Sequence, residues 1–103
     1  MQKSAKSIAE RNDYLRTNLA IGQMKVLLTR SVAESENRNA IVSAVREFKT
    51  FKKDNDPHGE HDFGSFIVAG TKYFFKFDYY DDSYKYFQED GNRVLTIMQA
   101  DEY

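Results

Sequence analysis

The sequence predicts a small α+β domain in which two helices pack on a mainly antiparallel four-stranded sheet, in the order α-β-α-β-β-β. Three observations lead there. Two stretches in the first half place apolar residues at helical spacing. The second half carries aromatic residues at alternate positions on both sides of Ala69-Gly70, the pattern of a hairpin. The 103 residues suffice for one core and not for two, so residues 1–103 form a single domain. Seven Tyr and eight Phe supply much of the buried area, since each ring removes a large surface from water.

The first helix is expected over residues 4–19. Ile8, Leu15 and Leu19, with Ala5 and Ala9, form one stripe, charged residues fill the rest, and Gly22 is a stop signal. "MKVLLTRSV" reads as a strand, Val26 and Leu28 on one face and Leu27 and Thr29 on the other. The second helix is expected from an N-cap at Ser35 to about Phe51. Its stripe is Ile41, Ala44, Val45 and Phe48, with Lys49, Lys52 and Lys53 at the C-terminal end, where positive charge is favoured. "FGSFIV" and "TKYFFKFDYY" follow as hairpin arms. In the second arm Tyr73, Phe75, Phe77 and Tyr79 face the helices, and Phe74, Lys76, Asp78 and Tyr80 face away. A turn at residues 89–92 leads into a last strand from Val94 to Met98. Where the first strand joins the sheet is not readable from pattern alone.

Composition excludes several classes. With no Cys, disulfides and thiolate metal sites are ruled out. The start, "MQKSAKSIAERN", has frequent basic residues and no apolar core, unlike a signal peptide, and no apolar run approaches a membrane span. A cytoplasmic location is the default expectation. Net charge is −1, but Lys and Arg outnumber Asp and Glu by eleven to five through Lys53, and the ratio reverses to four against eleven afterwards. A general nucleic-acid binder would be more basic, so no direct nucleic-acid contact is expected.

Function is most visible in "DNDPHGEHDFG", residues 54–64, which holds four acidic residues, both histidines and the only proline. If Ala69-Gly70 is the turn, facing residue numbers add to 139, so His61 lies opposite Asp78 and Glu60 opposite Tyr79. Three roles are open. Asp54, Asn55, Asp56, Pro57, Gly59 and Asp62 can structure the loop through side-chain bonds to backbone and fixed φ values. His58, Glu60, His61 and Asp78 have the donor chemistry of a divalent metal site, without an HExxH or Cys pair in support. His61 with Glu60 or Asp78 can do acid–base work, although no nucleophile is evidently paired with it. "DYYDDSYKYFQED" adds an acidic, aromatic surface in which Asp78, Tyr80, Asp81, Asp82 and Tyr84 are candidate contacts for a basic protein partner.

The stretches "IAERNDYLR", "VLLTRSV", "DNDPHGEHDFGSF", "YFFKFDYYD" and "RVLTIMQADEY" resemble successive motifs of a family of small bacterial proteins catalogued as domain of unknown function 3768. "NDPHGEHDFG" is the most specific of them. The resemblance implies accessory proteins of mobile elements and carries over no catalytic residue. The leading expectation is a non-enzymatic domain, an inhibitor or modulator, that binds a protein partner through the acidic, Tyr-rich end of its sheet without a cofactor. The alternative is a metal-dependent hydrolase or nuclease built on loop 54–62 with Asp78.

Overall fold

The computed structural model describes residues 4–103; the basic start of the chain, residues 1–3, lies outside them. The domain is α+β, three helices on a mixed, mostly antiparallel sheet. Helix α1 runs Ala5–Asn18, strand β1 Lys25–Leu28, helix α2 Arg30–Ala33, helix α3 Arg38–Glu47, and strands β2, β3 and β4 Phe63–Val68, Thr71–Tyr80 and Asn92–Gln99. Strand order is β1-β4-β3-β2; β1 runs parallel to β4, and the other pairs are antiparallel.

Ser4 caps α1, its Oγ accepting the Ser7 N–H at 3.1 Å. The helix stops at Leu19, which takes a left-handed φ of 45° and bonds back to Arg16, so the chain turns before the expected glycine at position 22. β1 is shorter than its pattern suggests. Thr29 begins a third, short helix instead of extending the strand, because the Thr29 and Ser31 hydroxyls donate to Glu102 at 2.8 and 2.7 Å and bend the chain over the end of β4.

α3 is also shorter than expected at both ends. Asn37, not Ser35, precedes its first turn, and Ser35 Oγ accepts the Asn37 N–H in a local turn at 3.0 Å. At the other end Phe48 leaves the helix with ψ 132°. Its ring then packs edge-on against Phe75 and Phe51, with centroids 5.2 and 4.9 Å apart. Aromatic packing on the sheet outweighs another helical turn, so Lys49, Lys52 and Lys53 lie in the following segment and not on the helix end.

The hairpin register is the expected one, Val68 facing Thr71 and Phe63 facing Lys76. Tyr73, Phe75, Phe77 and Tyr79 point toward the helices and join Ile8, Leu15, Val32, Ile41, Val45, Leu95 and Ile97 in one core. The core side chains of all three helices lie on this face, and the alternate strand residues, among them the buried Val94 and Met98, form the opposite one. Tyr103 packs edge-on against Phe63 and Phe74 there, while Leu27 and Ile67 stay exposed. Among the described residues no helix is long and apolar enough to cross a membrane.

Candidate functional site

The ladder between β2 and β3 ends at Phe63–Lys76, with one further backbone bond from Phe77 N to Asp62 O at 2.8 Å. His61 then takes a φ of 54° and swings the chain off the sheet. This corrects the expected pairing of His61 with Asp78. His61 Nδ1 meets the Asp13 carboxylate of α1 at 2.9 and 3.0 Å, and Nε2 lies 3.7 Å from Asp56. The ring stacks parallel on Phe51 at 4.0 Å. Asp13 also takes a bond from Arg16 at 3.0 Å. Arg16 is buried, donates to the Val45 and Arg46 carbonyls at the end of α3, and lies over the rings of Phe51 and Phe75. One helix carboxylate therefore ties together the loop histidine and the closing turn of α3.

A second network lies one residue away on α1. Asn12 donates to the Glu60 carbonyl and to Tyr79 Oη, both at 2.9 Å, and Tyr79 Oη reaches the Glu60 carboxylate at 3.3 Å. The expected meeting of Glu60 with Tyr79 thus occurs, through side chains. Arg93, 1% exposed, donates from Nε to Asn12 Oδ1 at 2.9 Å and from Nη1 to Gly91 O at 2.8 Å, pairs with Asp90, and lies over the Tyr79 ring.

Sequence reading missed Asn12, Asp13, Arg16 and Arg93. A signal was present for three of them. Asn12 and Arg16 follow Ile8 at steps of four, on the stripe that should be apolar, and Arg93 continues the inward alternation of Leu95 and Ile97. A polar residue at a core position needs a buried partner.

The expected loop-structuring residues divide. Asn55 accepts from Lys52 N at 2.8 Å and donates to Thr50 O at 3.3 Å. Asp56 is buried and accepts the His61 N–H at 3.1 Å, and Gly59 takes a φ of 68°. Pro57 follows Asp56 in the turn. Asp54 and Asp62 make no side-chain hydrogen bond with another described residue.

Asp62 instead lines a cavity of about 350 Å³ with His58, Glu60, Tyr79, Phe87 and Glu89. Burial pushes the Asp62 carboxyl above the usual carboxylate range, with added repulsion from Asp56 and Asp78. Burial likewise raises Glu60, helped by Asp62 and Glu89. Desolvation also pushes the Tyr79 hydroxyl up, keeping it a neutral donor. A larger recess of about 710 Å³ opens on the other side of the loop, where Arg16, Arg46, Lys49, Phe51 and His61 meet Asp13.

The expected metal ligands do not converge. His58 and Glu60 line the acidic cavity, His61 turns to Asp13, and Asp78 pairs with Lys76 at 3.2 Å. Among the described residues no three His, Asp or Glu side chains are grouped to hold a metal ion. The same separation leaves Asp13 and Asp56, not Glu60 or Asp78, as the carboxylates beside His61.

On the acidic strand end, Tyr80 and Tyr84 pack together and Lys25 lies 3.8 Å over Tyr84. Asp81 accepts from Ser83 Oγ at 2.7 Å and from the Ser83 and Lys85 N–H groups, and Asp82 accepts from Asn92. The Ser83 bond holds the Asp81 carboxyl below its usual range. The order Asp81 gives its turn is therefore present above the ordinary Asp pKa and lost as pH falls through the lowered one. Amide exchange of Ser83 and Lys85 should accelerate in that acid window, and Asp81→Asn should flatten the response.

Fold and site together define a small α+β domain with an acidic cavity beside a loop stapled to its first helix. The chain belongs to the family described as Protein of unknown function (DUF3768), whose match spans residues 28–102. That span includes loop 54–62, the cavity's Phe87 and Glu89, and Arg93, while Asn12, Asp13 and Arg16 precede it. No curated protein and no solved structure matches the chain.

Proposed function

We propose that this is a non-enzymatic binding domain that takes a cationic side chain of a partner protein into the cavity between Glu60, Asp62 and Glu89. The observation that supports this reading is a group of carboxylates with no Lys or Arg paired to them, offset only by the Tyr79 hydroxyl on Glu60 and by the neighbouring His58. Glu60 and Asp62 are both raised by burial and by neighbouring carboxylates. Among the described residues no Lys or Arg pairs with either, or with Glu89. Folding holds these groups in a less favourable setting than water, and an incoming ammonium or guanidinium would relieve it. Phe87, 74% exposed at the rim, offers an apolar face to the stem of such a side chain. The surface first expected at Asp81 and Asp82 moves to this cavity, since those carboxylates already hold their own turn. A modulator of the kind that the family resemblance implies works by occupying a partner and needs no chemistry of its own.

The test pairs stability with binding. Glu60→Gln with Asp62→Asn should fold and gain up to about 1 kcal/mol over the parent at neutral pH, reduced by the solvent exposure of both groups. The sign follows from the raised carboxyls: acidification through their folded pKa range protonates them preferentially in the folded state, so the parent catches up and the difference disappears. In parallel, an array of lysine- and arginine-containing peptides should show retention by the parent that weakens with salt and mild acid. Retention unchanged in the double variant, or no basic peptide retained, overturns the reading.

A further inference from the structure

The two edges of the sheet are not treated alike. β1 is four residues long, begins with Lys25, and leads directly into α2, so it offers little template for another strand. β2, at the other edge, is six residues long, FGSFIV, with no charge and no proline. Asp62 O accepts from Phe77 N, and bonding alternates along an antiparallel pair. Gly64, Phe66 and Val68 therefore exchange bonds with β3, while Phe63, Ser65 and Ile67 turn their N–H and C=O groups outward. No described group outside the sheet hydrogen-bonds to residues 63–68. The side chains of these three residues lie on the sheet face away from the core, where Phe63 packs on Tyr103 and Ile67 is 71% exposed. A long, apolar, unprotected edge is a template for strand addition.

We infer that two copies of this chain pair antiparallel through the outer edge of β2, Ser65 against Ser65 across a two-fold axis, making one continuous sheet. The occupant follows from register and charge. An antiparallel partner must keep side chains of one face together, so the residue numbers facing each other must have an even total. Centring on Ser65 sets every outward-bonding residue of one copy against one of the other and places Phe63 against the second copy's Ile67, twice. Aromatic and β-branched residues are a favourable cross-strand pair. No charge lies opposite a charge along the seam, because β2 has none. The contact is isologous and closes on itself, leaving only the short β1 edges outside.

The parent chain should sediment at twice its 12.0 kDa mass and dissociate on dilution. Ser65→Lys sets two ammonium groups directly opposite and should give monomer with unchanged circular dichroism and a melting temperature that no longer depends on concentration, matching that of the diluted parent. Ile67→Lys, at an exposed position that the monomer fold does not use, should do the same should the first variant fold poorly. Facing Cα atoms in a hydrogen-bonded antiparallel pair lie about 5.5 Å apart, within disulfide reach. Ser65→Cys, the only cysteine in the chain, should therefore cross-link under mild oxidation, whereas Ser43→Cys on exposed α3 should not. A monomeric parent across the dilution series, a dimer indifferent to both lysines, or equal cross-linking at positions 43 and 65 overturns the inference.

Discussion

Replacing Arg93 with methionine should cost about 3–5 kcal/mol of folding stability, measured by urea unfolding at neutral pH. The guanidinium is buried on the core side of β4 and holds three partners at once: Asn12 Oδ1, the Gly91 carbonyl and the Asp90 carboxylate. Methionine fills much of the volume and supplies none of the donors. Asp90 would then be a mostly buried carboxylate without its cation, and Asn12 a buried amide without its acceptor's partner. The loss should come mainly from the stranded charge and not from lost packing. Adding Asp90→Asn to the variant should accordingly recover a substantial part of the deficit. A simple sum of the two single effects would show that charge is not the cause. Because Asn12 also binds the Glu60 carbonyl and Tyr79, Arg93→Met should speed amide exchange in loop 54–62, far from position 93 in sequence.

The same residues show what could be read in advance. Strand alternation was legible because the pleat has a strict period of two. One turn, Ala69-Gly70, fixed every pair from Val68–Thr71 to Phe63–Lys76. The register could not be extended to His61, because the extension assumed a continuing strand. Asp13 and Asp56 offer His61 better partners off the sheet, and a left-handed φ takes it there. Helix periodicity located the stripe of α3 but not its end. Phe48 and Phe51 keep helical spacing in sequence and pack from an extended segment, and spacing does not distinguish the two. The short helix α2 depends on Glu102, some seventy residues away, and no local pattern announces a contact of that range. Loop 54–62 stood out by composition. Its anchors were harder to read: Asn12 and Arg16 interrupt the apolar stripe of α1 without showing which partners they meet, and Asp13 reads as part of the helix's polar face until His61 is placed beside it.

Gly64, inside "HDFGSF", should prove nearly as intolerant as Arg93, and for a steric reason. It has no left-handed φ. An added Cβ would instead meet Phe75 Cε2, with Phe75 Cζ at 2.7 Å and Phe48 Cε2 at 3.0 Å. The Phe75 ring is fully buried and held edge-on by Phe48 and Phe51, so it has no empty space to enter. Gly64→Ala should therefore destabilise by roughly 1–3 kcal/mol through overpacking, more than the ~0.5–1 kcal/mol that alanine gains over glycine in chain entropy. Phe75→Leu alone should also destabilise, by leaving a void. Combined with Gly64→Ala it should cost less than the sum of the two, because the smaller side chain yields the space that Cβ needs. The strain should also travel: Phe51 touches Phe75 on one side and stacks on His61 on the other, so Gly64→Ala should shift the His61 ring resonances while the double variant restores them. Strict additivity of the two substitutions, with His61 unmoved, would mean that Phe75 is not the obstacle and that the glycine serves the backbone instead.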